Sequence, residues 1–142
     1  MSIDFNKLDE KEIIKQLVEF EYKFDIQRTE YHISHGAALV LMGLKHSTED
    51  IDLTFEDNNK FNTFRNKGYY EKLLSHGTTL ISITDIIDIH DQPVDKISND
   101  DILLTNEGFR YTSPQVILKE KIKLNREKDQ HWINVLTKHI SK

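Results

Sequence analysis

Between residues 8 and 26 the apolar positions Ile13, Leu17, Phe20 and Phe24 recur at intervals of four, three and four. That spacing marks one face of a helix, with Asp9 placed as its N-cap. The period then changes. Residues 31–34 read as a short strand, and His35-Gly36 turns the chain into a small helix through Ala37, Ala38, Leu39, Leu41 and Met42, closing near Gly43. In 51–55 the period is two: Ile51, Leu53 and Phe55 share one face, while Asp50, Asp52 and Thr54 share the other.

Residues 58–67 predict a helix stopped by Gly68, and 69–76 fit helix or strand equally. The Ile- and Thr-rich run 80–90 predicts strand, interrupted near Asp85. Residues 102–105 and 109–112 flank Asn106-Glu107-Gly108, a hairpin signal. Ser113 caps a helix with Pro114 at its first position, running to about Asn125. A last helix over 129–140 is expected to bury Ile133, Leu136 and Ile140. No repeat, linker or low-complexity segment interrupts this order. The expected architecture is one α+β domain over 1–142, a small mixed sheet flanked by helices with a C-terminal helix pair.

Composition narrows the class. With 37% hydrophobic and 30% charged residues in 142, the chain reads as globular and large enough to bury a core. No apolar run reaches the length of a bilayer span and no charged-then-apolar leader is seen, so no membrane partner and a cytoplasmic location are expected. The absence of cysteine removes disulfides and thiolate metal sites. A formal net charge of -5 argues against general attraction to polyanions, so any nucleotide must be held by a local cluster.

Candidate chemistry centres on Asp50 and Asp52. Carboxylates at i and i+2 of a strand stand on one surface and repel unless a cation lies between them. Hard oxygen ligands suit Mg²⁺ (or Mn²⁺), which completes its shell with water and phosphate oxygens. The plain alternative is the solvated face of an edge strand. Against it stands the order of features: a strand, a tight turn at Gly36 and a helix N-terminus able to cradle phosphate, then Lys45, His46, Ser47 and Thr48, then the Asp pair.

These residues resemble the signature of the nucleotidyltransferase superfamily, the DNA polymerase beta-like fold. In its small bacterial members Gly-Gly-Thr-Ala-Leu is followed by Gly-x-x-Arg-x-Thr-x-Asp-Ile-Asp-Leu. Here His35-Gly36-Ala37-Ala38-Leu39 is followed by Gly43-Leu44-Lys45-His46-Ser47-Thr48-Glu49-Asp50-Ile51-Asp52-Leu53 with matching spacing. The resemblance implies a third carboxylate on a later strand. Asp88 in Ile86-Ile87-Asp88-Ile89-His90-Asp91 is the best counterpart, alternating with Ile87 and Ile89; Asp85 and Asp91 are its rivals. That stretch is also similar to the Leu-Asp-Ile-His of small lincosamide nucleotidyltransferases. The run from Ser113-Pro114 to Arg126-Glu127-Lys128-Asp129 resembles the helix pair of abortive-infection-type members, which implies that Lys121, and after it Lys128, lie near a triphosphate.

The resemblance implies transfer of a nucleoside monophosphate from an NTP to an acceptor, with release of pyrophosphate. Asp50, Asp52 and Asp88 would be metal ligands and catalytic residues. His35, Gly36, Ala37, Lys45, His46, Thr48, Lys121 and Lys128 would surround the nucleotide. The acceptor could be a small molecule, a tRNA end or a protein. Departures exist: His35 replaces a glycine, Ala37 a hydroxyl residue, His46 an arginine, and Trp132 stands where the last helix usually has Asp. His35 and Ala37 support the rival expectation of a catalytically silent binding or toxin–antitoxin module. His32, His76, His131 and His139 show no partner pattern and read as surface or core filling.

Overall fold

The computed structural model describes residues 7–74, 79–91 and 97–142. Among the described residues, five α-helices accompany a seven-stranded mixed sheet, with strands in the order β3-β4-β5-β2-β1-β7-β6. The first helix, α1 (Glu10–Phe24), is capped as expected: the Asp9 carboxylate accepts from the Glu12 amide at 2.9 Å. Next come β1 (Tyr31–Ser34), α2 (His35–Leu41) and β2 (Ile51–Phe55). They are followed by α3 (Asn58–Asn66), β3 (Tyr70–Leu73), β4 (Thr79–Ser82) and β5 (Ile87–His90). A hairpin of β6 (Ile102–Leu104) and β7 (Arg110–Thr112), then α4 (Pro114–Leu124) and α5 (Gln130–Ile140), complete the chain.

The sheet is two-faced because its strands alternate. Tyr31, Ile33, Ile51, Leu53, Phe55, Ile81, Ile87 and Ile89 are buried and join one core with Ile13, Leu17 and Phe20 of α1 and Phe61 and Phe64 of α3. The opposite face carries His32, Ser34, Asp52, Thr54, Ser82, Asp88 and His90, in register across β1, β2, β5 and β4. Strand β2 is central, so all five of its residues are buried, Asp52 included. A solvated edge is thereby excluded.

The interruption expected near Asp85 is a turn: β4 and β5 run antiparallel on either side of it, and the Thr84 hydroxyl accepts from the Ile86 and Ile87 amides. Within the ambiguous 69–76, Tyr70–Leu73 form a strand, and His76 lies outside the described residues. In α5 only Leu136 is fully buried, against Ala38, Leu39 and Ile117; Ile133 and Ile140 are half-buried, since this helix packs on α4 rather than into the main core.

The corner between α4 and α5 is held by charge. Asn125 ends α4 in the left-handed region, and Arg126 then reaches Asp129 at 2.8 Å through Nε. Asp129 is 1% exposed, and Lys121 lies 3.5 Å from it. Hydrogen bonds from Arg126, aided by the Lys121 charge, lower its pKa to about 2. A carboxylate depressed in this way stabilises the fold above its unfolded pKa and loses that contribution as pH falls toward 2. Asp129→Asn is expected to cost about 2 kcal/mol at pH 7. Urea unfolding should show the gap to the parent closing between about pH 4 and pH 2.

Candidate active site

The β2–β5 pairing is parallel, with Asp52 opposite Asp88. Asp50, just before β2, completes a group whose ligand oxygens all lie within 4.8 Å of one another. This group brings together the pair and the preferred third carboxylate; Asp85 is exposed in the β4–β5 turn, and the Asp91 amide donates to the Thr79 carbonyl.

Electrostatics reflect that crowding. Burial, then the charges of Asp52, Asp88 and Glu49, raise the Asp50 pKa to about 6, with Lys45 opposing. Burial also raises Asp88, against a hydrogen bond from Ser82 Oγ to its Oδ1 at 2.8 Å. His90 Nε2 stands 2.8 Å from Asp52 Oδ1. Burial disfavours the His90 cation, but its hydrogen bond to Asp52 and the charges of Asp52, Asp88 and Glu120 prevail and raise its pKa.

Beside the triad opens a cleft of about 380 Å³ that His35, Gly36, Lys45, Thr48, Asp50 and Asp52 help to line. Strand β1 delivers the chain into it and α2 carries it away. His35 sits at φ 57°, in the left-handed region, so the tight turn is kept although the residue has a side chain. A Cβ on Gly36 would stand 2.5 Å from Thr48 Oγ1 and 3.4 Å from Lys45 Nζ. Thr48 cannot easily yield: it is buried, and its backbone pairs with Leu8 at 2.6 and 3.0 Å. Only glycine fits there.

The remaining expected residues divide. Ala37 is fully buried in the main core, which leaves only its backbone for a ligand. Lys45 lies over the Trp132 ring at 5.8 Å, and its charge, behind burial as the main cause, helps to lower the Lys121 pKa. His46 is exposed and lines a different cleft with Asp9, Glu10 and Lys11. Lys128 is exposed in the turn before α5. His32, given no partner in advance, is buried against Glu56 at 2.9 Å, which Arg110 also holds. His131 and His139 are exposed.

Sequence reasoning missed Ser82 and His90. The signal for His90 existed, two residues beyond Asp88 on the same strand face. Ser82 had no such signal, because its contact to Asp88 depends on how β4 folds back on β5.

Because the Asp50 pKa is raised, its charge lowers stability progressively as pH rises from about 4 to about 6 and fully above that. Asp50→Asn should remove this loss, raising stability at pH 7 by about 1–2 kcal/mol and flattening the dependence of melting temperature on pH over that range. Thermal melts of both proteins between pH 4 and 8 check this; added Mg²⁺ should raise the parent's melting temperature at pH 7 but not the variant's.

No protein-family model and no curated protein matches the chain. Among solved structures, it is similar to the crystal structure of a candidate nucleotidyltransferase from Thermotoga maritima. The TM-score is 0.59 at 14% identity, over 93% of this chain and 99% of that one. At that identity the likeness is one of fold. Among the described residues no helix is long and apolar enough to cross a membrane. The chain therefore has a nucleotidyltransferase-like fold with three convergent carboxylates that could hold a divalent metal.

Proposed function

We propose that the chain is a metal-dependent nucleotidyltransferase that moves a nucleoside monophosphate from an NTP to an acceptor hydroxyl or phosphate, releasing pyrophosphate. One observation carries this reading: Asp50, Asp52 and Asp88 converge within 4.8 Å, in a fold of this type. The donor set fits a hard ion such as Mg²⁺ or Mn²⁺, since carboxylate oxygens are its preferred ligands and the mutual repulsion that raises Asp50 is what a cation relieves. Bound there, such an ion would neutralise phosphate oxygens and make the acceptor oxygen more nucleophilic.

The chain's own groups would position the reactants. Asp50 and Asp52, one anchored by the central strand and one at its mouth, orient the ion. Asp88, on the neighbouring strand, is placed to hold the acceptor's proton. Lys45, close over Gly36, and Lys121, made less basic by burial, bring positive charge toward the triphosphate. The turn at His35 and Gly36 exposes backbone amides beside them, and Thr48 backs that turn.

Pyrophosphate release from each NTP with Mg²⁺ or Mn²⁺, across an acceptor panel, tests the reading. Asp52→Asn and Asp88→Asn should each lower turnover at least about a hundredfold while the far-ultraviolet circular dichroism stays unchanged. Retained turnover in both variants would overturn the assignment; a parent that binds no nucleotide with metal, by calorimetry, would instead mark a silent module.

Gly36→Ala is expected to destabilise the fold by about 1–3 kcal/mol, through the clash with Thr48 Oγ1, and to weaken nucleotide binding. Chemical unfolding and calorimetry on the same sample check both parts.

A further inference from the structure

His90 and Glu120 have no part in the chemistry above, yet His90 touches Asp52 and the charge of Glu120 reaches His90. Three carboxylates offer six oxygens. Ser82 Oγ holds Asp88 Oδ1, and His90 Nε2 holds Asp52 Oδ1, each at 2.8 Å. The His90 contact is built into the sheet: His90 pairs with Thr54 in the β2–β5 register and reaches back two positions to Asp52, with its side chain 15% exposed. Two divalent ions would have to be held by these six oxygens, and this ring takes one of them.

The ring also has somewhere to go. Glu120 Oε2, on α4, is shielded from solvent and has no hydrogen-bond partner, on a side chain that is 37% exposed. It stands 3.6 Å from His35 Nδ1, and the His35 ring lies 5.5 Å from that of His90. An oxygen without a donor can accept one, so a ring leaving Asp52 has an acceptor on this side of the centre.

We propose that His90 is a positioning residue that latches Asp52: while its ring holds Oδ1 the centre takes one divalent cation, and a second enters only when the ring leaves toward His35 and Glu120. The proposal rests on the reading of Asp50, Asp52 and Asp88 as metal ligands. A mere orienting role for His90, in which it steadies Asp52 for a single ion, has the opposite consequence, since its loss would weaken metal binding.

Mn²⁺ titration of the nucleotide-free protein, followed by the free-ion paramagnetic resonance signal, separates the two. The parent should bind one ion tightly. His90→Ala should bind two, the second at least about tenfold tighter than in the parent. His90→Gln, which keeps a donor at the Nε2 position, should behave as the parent. Thermal melts in chelator confirm folding, and His90→Leu carries the same expectation as His90→Ala should the latter not fold. Unchanged or weaker binding in the donorless variants overturns the latch, as does a His90→Gln protein that binds two ions. If Asp88→Asn abolishes Mn²⁺ binding while His90→Ala leaves it unchanged, the latch alone is wrong. If no protein binds Mn²⁺, the latch and the metal-centre reading fall together.

Discussion

The site depends on one pairing, the parallel register of β2 with β5 that sets Asp52 opposite Asp88. Side chains alternate along a strand, so a slip of one residue would turn Asp88 into the apolar core and bring Ile87 or Ile89 to the polar face. The core prevents that slip. Ile51, Leu53, Ile87 and Ile89 are all at most 2% exposed, packed with Ile13, Leu17 and Phe61. Burying four such side chains is worth roughly 6–12 kcal/mol. The repulsion at the triad is worth a few kcal/mol at most. Apolar packing wins, and the carboxylates are held together by a force that has nothing to do with them.

That imposed closeness explains the surroundings of the triad. Each carboxylate meets a different compensation: Asp88 a hydroxyl from Ser82, Asp52 the ring of His90, Asp50 a raised affinity for protons and the distant charge of Lys45. Two of these come from the strands that carry the acids or pair with them. The sheet therefore supplies both the repulsion and most of its relief, whereas the cations that would face a triphosphate come from the turn after α2 and from α4.

How much of this was legible follows the reach of each signal. The β2 and β5 strands and their acidic positions were readable because a buried strand in a two-faced sheet alternates strictly, and both segments do. The β3 strand resisted assignment because it is an edge whose four residues are all exposed, leaving no face to create a period. Asp129 could not be recognised as buried. Its place depends on Asn125 entering the left-handed region, so that Arg126 folds over it, and the surrounding lysines and glutamates looked like a solvated face. Lys128, adjacent to it, lies exposed. The partner of His90 is 38 residues away in sequence, so the alternation could indicate its face but not its bond.

The turn at residues 35–36 shows which departures a site can absorb. At His35 the constraint is on the backbone alone: φ is 57°, a region in which histidine is enriched among residues with a side chain, and the strain is of order 1 kcal/mol. At Gly36 the constraint is spatial, since a Cβ would lie 2.5 Å from a buried hydroxyl whose backbone is tied to Leu8. The first can be tolerated by a fold whose core stabilises it many times over; the second cannot without moving Thr48 and the segment that leads into Asp50. A side chain at the first position is therefore compatible with the turn. That conformation gives the side chain at 35 a direction, toward Glu120 and the ring of His90, so that His35 becomes the link between the turn and the carboxylate centre.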